Sequence, residues 1–399
     1  MNPNLAKLYS IGQKAERKIV GLMSGTSLDG LDIALCSCRG SGRETGVELL
    51  HFITMPYGDA FRADVKTVFA RRDADLEKVC LLNEVIAIEH ASLILKAFKA
   101  WNIQADEVDL IASHGQTIFH APKILHHKKE YPNGTLQIGD GDHLAVHTGI
   151  ITLSDFRQKH LAAGGEGAPL AVYGDYLIFS EEGEDRIMLN IGGIANFTFL
   201  PGDKDATKVF STDVGPGNTL MDQYIQKNYP GMYYDRNAEK AKAGSVNPDL
   251  LNALLDHEFF ERDFPKTTGP ELFSLTYLEE AMQKSRTSRI AITDTLATLC
   301  HFTAKGIIKA IRKAVHQLRQ PKVYMSGGGM HNPLLVDLLR SGLPEITFGT
   351  TNDLHIHPDA KEAVLFALLA NETIAGTPVN FGTRTGVPSV CMGKISFPS

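Results

Sequence analysis

Ile19-Val20-Gly21-Leu22-Met23-Ser24-Gly25-Thr26-Ser27-Leu28-Asp29-Gly30-Leu31-Asp32-Ile33-Ala34-Leu35 is one of two stretches on which the fold turns. The other is Arg186-Ile187-Met188-Leu189-Asn190-Ile191-Gly192-Gly193-Ile194-Ala195-Asn196-Phe197-Thr198-Phe199-Leu200. Each is a β-rich run, a turn dense in Gly, Ser, Thr, Asn or Asp, and a second β-rich run. That pattern predicts a β-hairpin whose turn exposes backbone N–H groups. Its recurrence in the second half predicts two domains on one plan.

Working outward, apolar residues at helical spacing (Leu81, Val85, Ile88, Leu93, Leu95, Phe98) predict a helix over 76–101. Residues 108–113 read as a buried strand ending at His114-Gly115. Helices follow over 219–227, 248–255 and 294–318, with Thr293 or Asp294 suited to cap the last. Residues 321–326 read as a strand entering Gly327-Gly328-Gly329. His357-Pro358-Asp359 precedes a helix over 360–374, with proline near its start. Two α/β domains with a cleft between them are the natural assembly. The acidic stretch 180–185 places the boundary, giving domains 1–183 and 184–399. The segment near 360–399 is left free to pack back on the first domain.

Composition limits the functions available. A chain of 399 residues, 43% hydrophobic, fits two domains of ordinary size. The net charge of -6 offers no broad basic field to nucleic acid or an anionic membrane. The dense basic run His126-His127-Lys128-Lys129 is followed by Glu130 and reads as a solvated loop tip. Five cysteines, none at zinc or redox spacing, read as reduced thiols. Residues 1–17 lack the apolar core of a signal peptide, and no run approaches a membrane span of about 20 residues. A soluble, cytoplasmic protein is expected.

Five constellations can carry chemistry. In Ser24-Gly25-Thr26-Ser27-Leu28-Asp29-Gly30, glycines admit an anion close to the backbone, and hydroxyls and N–H groups can cradle phosphate. Asp29 or Asp32 is placed to hold Mg²⁺, directly or through water. A plain hairpin turn is the bland alternative, and no Walker lysine follows. Gly192-Gly193 is the matching turn, and the pair is more informative than either turn alone. Gly327-Gly328-Gly329 sets flat backbone beside a ligand, suiting adenine or ribose with Asn332 nearby. Asp213, within Ser211-Thr212-Asp213-Val214-Gly215-Pro216-Gly217-Asn218, reads as a general base or as a cap for the next helix. His114, Gln116, Asp155 and Arg157 end apolar runs, where open α/β sheets place ligand contacts. Arg157 suits a substrate carboxylate, unless Asp155 and Arg157 share a strand face and pair with neighbours.

These motifs, in this order, resemble the anhydro-N-acetylmuramic acid kinase family. The strings that carry the likeness include Gly21 to Asp32, Ser113-His114-Gly115-Gln116-Thr117 and Gln137-Ile138-Gly139-Asp140. Ser154-Asp155-Phe156-Arg157, Asn190 to Asn196, Asp213 to Asn218 and Pro358-Asp359-Ala360-Lys361-Glu362-Ala363 complete it, so it spans about 18–374. The resemblance implies a two-domain actin-like ATPase (ribonuclease H-like) fold with a central cleft that closes over ATP and sugar. It implies a reaction that opens a 1,6-anhydro ring and phosphorylates O6, with Mg²⁺, in cell-wall recycling, by a homodimer. Asp213 matches the family's base. Gly25, Thr26, Ser27, Leu28, Asp29, Gly30, Leu31 and Asp32 match its ATP loop, with Gly192, Gly193, Gly327, Gly328 and Asn332 as further nucleotide contacts. His114, Arg157 and Glu362 are expected to orient sugar or water. Met23 and Asn190 stand where the broader superfamily carries aspartate before each phosphate loop, so the metal ligands are left unassigned. Two other readings are another sugar or acetate-type kinase on this fold, and a non-catalytic ATP-dependent chaperone or filament module.

Overall fold

The computed structural model describes residues 1–25, 27–168, 170–269, 271–315, 321–383 and 386–399. Its strands are β1 (Glu16–Ser24), β2 (Gly30–Arg39), β3 (Gly46–Pro56), β4 (Leu110–Ala121), β5 (Gly134–Ile138), β6 (Thr152–Ser154), β7 (Arg186–Ile191), β8 (Ile194–Leu200), β9 (Phe210–Pro216), β10 (Lys322–Ser326), β11 (Thr347–Thr350) and β12 (Lys394–Ser396). Both quoted stretches form hairpins. β1 pairs antiparallel with β2 from Glu16↔Arg39 to Ser24↔Leu31, and β7 with β8 from Arg186↔Leu200 to Ile191↔Ala195.

The chain divides into two compact units, Met1–Phe179 with His355–Ser399, and Ser180–Leu354. Residues 355–399 therefore group with the first unit, the option left open for the segment near 360–399. The first unit's sheet runs β12-β6-β4-β1-β2-β3, with β5 added to β4. The second unit's runs β11-β10-β7-β8-β9. In each, three antiparallel strands form a meander, and the first of them also pairs with a parallel strand reached by a crossover. A further parallel strand follows in both units. Such crossovers need long connections, which the helices supply. The two units thus share one mixed α/β sheet order.

In the first unit the helix Lys361–Ala375 is apolar almost all round and buried from Ala363 to Glu372. A helix of that composition belongs inside a protein. It seats directly on β1 because Gly21 has no side chain: a Cβ there would lie 1.9 Å from the Ala363 carbonyl oxygen. An ion pair at 2.7 Å between Lys361 and buried Asp175 fixes its start. The second unit's core holds Phe197, Phe259 and Phe273, all fully buried, together with Phe302 of the long helix Ile292–Val315.

Several local expectations change. The helix Leu76–Trp101 forms, but its buried face runs through Leu82, Ile86, His90, Ile94 and Ala97. Of the apolar residues whose spacing predicted the helix, Leu93 and Phe98 are buried. Leu81, Val85, Ile88 and Leu95 remain 55%, 45%, 44% and 42% exposed. A helix with two apolar stripes cannot bury both against one sheet. The strand through Ser113 does not stop at His114-Gly115. β4 continues to Ala121, with Gly115 at a φ of 72° letting it bend onto β5. The long helix begins at Ile292, so Thr293 and Asp294 lie inside it, and Asp294 instead accepts the Ser245 N–H at 2.8 Å. Residues 316–318, read as its end, lie outside the described residues.

Candidate active site

In each unit the singled-out motifs gather where parallel strands end. β1, β4 and β6 run parallel, so Ser24, Gln116 and Ser154 come to the carboxyl edge of one sheet. β7, β10 and β11 do the same for Gly192 and Gly327 in the other. Open α/β sheets present ligand sites at this edge, because strand ends there release backbone groups into turns.

The first turn is built tightly. Leu28 takes a φ of 56° and donates its N–H to the Gly25 carbonyl at 3.3 Å. Asp29 accepts from the Ser27 hydroxyl at 2.8 Å and the Gly30 N–H at 3.1 Å, so its carboxylate holds the turn. Gly30 is required because a Cβ there would stand 2.5 Å from the Met55 carbonyl oxygen. The side chains of Leu28 and Leu31 are core, at 1% and 0% exposure, so only their backbone could face a nucleotide. Thr26 lies outside the described residues. Asp32 accepts from Thr54 at 2.5 Å, and burial, together with Asp29, Glu362 and Asp359, pushes its carboxyl up to about 6. Asp29, Glu362 and Asp359 thus add negative charge around Asp32, which would suit Mg²⁺. Among the described residues no His, Cys, Asp and Glu side chains form a ready metal cage, so phosphate oxygens and water would have to complete the shell.

In the second unit the two glycine motifs are one surface. A Cβ on Gly327 would meet Asn190 Oδ1 at 2.7 Å, and one on Gly329 would meet the Ile191 side chain at 2.3 Å. The carbonyl of Gly192 receives the Asn218 N–H at 2.8 Å, and that of Gly193 the Gly217 N–H at 2.8 Å. Gly328 and Asn332 line an open recess of about 410 Å³ with Asn218, Asp222, Tyr234 and His331. Asn332 is also an N-cap, accepting the Leu335 N–H at 3.0 Å. Burial pushes the carboxyl of Asp222 up to about 6. Sequence reading missed Asp222 and Tyr234, which carry no local signal and become visible only through the recess.

Asp213 sits on β9, where the strand bulges against β8. It does not cap the helix Thr219–Asn228, whose N-cap position is Asn218. Its Oδ2 accepts the Thr268 N–H at 2.8 Å. Oδ1 has no hydrogen-bond partner among the described residues. Burial, with the nearby Glu271 charge, pushes its carboxyl up to about 6 despite the Thr268 bond. A carboxylate with one oxygen fixed and one free, titrating near neutrality, is equipped to accept a proton.

In the first unit His114 and Arg157 meet. Arg157 Nε donates to His114 Nε2 at 2.9 Å, and His114 Nδ1 donates to the Gly115 carbonyl at 2.9 Å. Burial and the guanidinium hold His114 neutral, down to about 3, so it orients Arg157 and is no base. Arg157 also donates to the Gly167 carbonyl at 2.6 Å, which gives the glycine-rich 164–167 segment a role in aiming it. Asp155 and Arg157 do not share a strand face. β6 stops at Ser154, Asp155 takes a φ of 55°, and Arg157 lies in the first turn of the helix Phe156–Ala162. Asp155 pairs with Lys394 instead. Glu362 is exposed at the start of its helix and adds charge toward both Asp32 and Arg157.

A sheet plan used twice, each copy offering a glycine turn at its carboxyl edge, suits a protein that handles phosphate groups, and the relatives give the class as phosphotransferase. The family described as anhydro-N-acetylmuramic acid kinase matches residues 17–398. A protein of that name from Pseudoalteromonas atlantica is 53% identical over 100% of both chains. One from Pseudoalteromonas translucida is 51% identical, again over 100% of both. One from Caldanaerobacter subterraneus subsp. tengcongensis is 39% identical over 98% of this chain and 99% of its own. This chain belongs to the anhydro-N-acetylmuramic acid kinase family, and it is a kinase that uses ATP.

Proposed function

We propose that the chain converts 1,6-anhydro-N-acetylmuramic acid, ATP and water into N-acetylmuramic acid 6-phosphate and ADP, a step of peptidoglycan recycling. The observation that carries this reading is Asp213, a carboxylate with a free oxygen and a carboxyl near 6, in a chain of this family. Asp213 takes a proton from water, and the water oxygen bonds to the anomeric carbon. The C1–O6 bond breaks, and its electron pair passes to O6. O6 bonds to the γ-phosphorus of ATP, and the bond to the leaving ADP oxygen breaks. Asp213 later returns its proton to solvent.

The turns at Gly25–Asp32 and Gly192-Gly193 would supply N–H groups to the phosphates, and Gly327, Gly328 and Asn332 would flank the nucleoside. Arg157, aimed by His114, would pair with the lactyl carboxylate, and Glu362 would orient sugar or water. Mg²⁺, bound with ATP near Asp32, would neutralise charge on the phosphoryl oxygens. We read the enzyme as cytoplasmic and homodimeric. The dimer is supported by the exposed apolar stripe Leu81, Val85, Ile88 and Leu95 on one helix. No helix among the described residues is long and apolar enough to cross a membrane.

Mass spectrometry of the product tests the reaction. A sugar heavier by one phosphoryl group plus one water is expected. Phosphorylation of other sugars with this one untouched would keep the kinase and remove the substrate. Asp213→Asn should bind ATP yet lose turnover by about 10²- to 10⁴-fold. Unchanged ATP hydrolysis in that variant would favour the binding-module reading.

A further inference from the structure

Beneath the Ser24-Gly25 turn, four polar side chains form a line through an apolar interior. Ser24, Tyr57, His90 and Gln116 are each 5% exposed or less. His90 Nε2 lies 2.9 Å from the Tyr57 hydroxyl, which lies 2.8 Å from the Ser24 hydroxyl. The Ser24 hydroxyl lies 2.5 Å from Gln116 Oε1. At the far end, Gln116 Nε2 faces two carbonyls, Thr117 at 3.2 Å and Gly25 at 3.5 Å.

The proton order along this line is fixed from that end. Only the amide nitrogen of Gln116 can face two carbonyls, so its oxygen faces Ser24 and accepts. Ser24 spends its one proton on Gln116 and must accept from Tyr57. Tyr57 spends its one proton on Ser24 and must accept from His90. His90 is therefore the neutral Nε2–H tautomer. Its buried Nδ1 has no hydrogen-bond partner among the described residues, and burial holds the ring far from protonation, down to about 3.

We propose that His90 and Tyr57 are positioning residues for the phosphate turn, an inference that rests on assigning that turn to ATP. They hold the Ser24 hydroxyl as a donor to Gln116, which keeps the Gln116 amide N–H on the Gly25 carbonyl. Without that order the amide is free to rotate. Its oxygen would then oppose the Gly25 carbonyl and an arriving phosphate. The Ser24 hydroxyl proton is committed inward, so Ser24 shapes the turn and does not donate to phosphate.

Tyr57→Phe should raise KM for ATP about five- to tenfold, the net worth of one buried hydrogen bond, while KM for the sugar stays within about twofold. His90→Gln puts an amide N–H where Nε2–H stood and should restore KM for ATP to about twofold of wild type; His90→Leu should not. An unmoved KM for ATP in Tyr57→Phe, or identical behaviour of the two His90 variants, overturns the proposal. Nitrogen NMR of histidine-labelled protein gives a test independent of turnover, with the His90 signal assigned through His90→Gln. The Nε2–H tautomer, without titration between about pH 5 and 9, is expected. An Nδ1–H tautomer or an ordinary midpoint near 6.5 overturns the proton order. Wild-type protein that transfers no phosphoryl group would sink the functional assignment itself, and would do so before any substitution is made.

Discussion

Asp213 concentrates the chemistry in one side chain. Its carboxyl is raised to about 6 chiefly by burial. The base works as the carboxylate, so turnover should rise with pH through a midpoint near 6 and then level. A pH profile of kcat under saturating ATP checks this, and an acid limb centred near 4 would remove Asp213 from the role. The same shift has a consequence for stability. The folded state binds a proton between the unfolded value of about 3.9 and 6, so this group's contribution falls as pH rises through that window. Asp213→Asn should therefore raise Tm by roughly 2 °C at pH 7.5 and leave it nearly unchanged near pH 3.5, below both values. Equal shifts at both pH values would show that the carboxylate carries no burial penalty.

At this scale the sequence was legible where a residue's neighbours also enforce its conformation. Asp213 and the glycines of both turns stand among residues that force a turn. Tyr57 and His90 were silent because their partners come from distant segments, and Asp222 because the recess it lines is completed by Gly328 and Asn332. Tyr57 touches Ser24 and His90, each 33 positions away, and no local pattern announces that.

Among elements, contact between the helix Lys361–Ala375 and β1 is the most constrained. The 1.9 Å approach to a backbone atom at Gly21 cannot be relieved by a side-chain rotation. Gly21→Ala should cost about 3 kcal/mol, the upper end for overpacking, read as a lower midpoint in urea unfolding. A loss below about 0.5 kcal/mol would mean that the helix can lift freely. Because the helix start carries Lys361 and Glu362, and β1 runs into the Ser24 turn, Gly21→Ala should also weaken ATP binding. Hairpins and helix positions were readable here because turn chemistry and period are local. Which stripe of the helix Leu76–Trp101 is buried was not, since Leu81, Val85 and Ile88 are as apolar as Leu82 and Ile86. The alternative that set Asp155 and Arg157 on one strand face fails because the strand ends at the left-handed backbone of Asp155, a conformation no local pattern announced.

For the whole molecule, the stripe that the fold leaves uncovered has a measurable outcome. Ile88, 44% exposed on that helix, is the residue to change. Ile88→Glu should convert a dimer to monomers in sedimentation analysis without lowering Tm by more than about 1 °C, as surface changes usually do. A dimer that survives Ile88→Glu and Val85→Glu together would place its interface elsewhere. The repeated sheet plan was legible from the two hairpins. The return of residues 355–399 to the first unit was not, because it depends on packing against strands made more than three hundred residues earlier.

That return sets a timetable for synthesis. Residues 180–354 leave the ribosome as one uninterrupted segment, and every strand of the second sheet is present once they are out. The first unit emerges earlier yet waits longer. Its β1 face stays bare until the helix Lys361–Ala375 arrives, and its edge at β6 stays unpaired until β12 is made. At roughly 5–20 residues per second, that leaves an apolar surface and an open strand edge exposed for on the order of ten seconds or more. The nascent chain is therefore most in need of a chaperone while the enzyme's second half is being translated, and the half translated first is the last to finish folding.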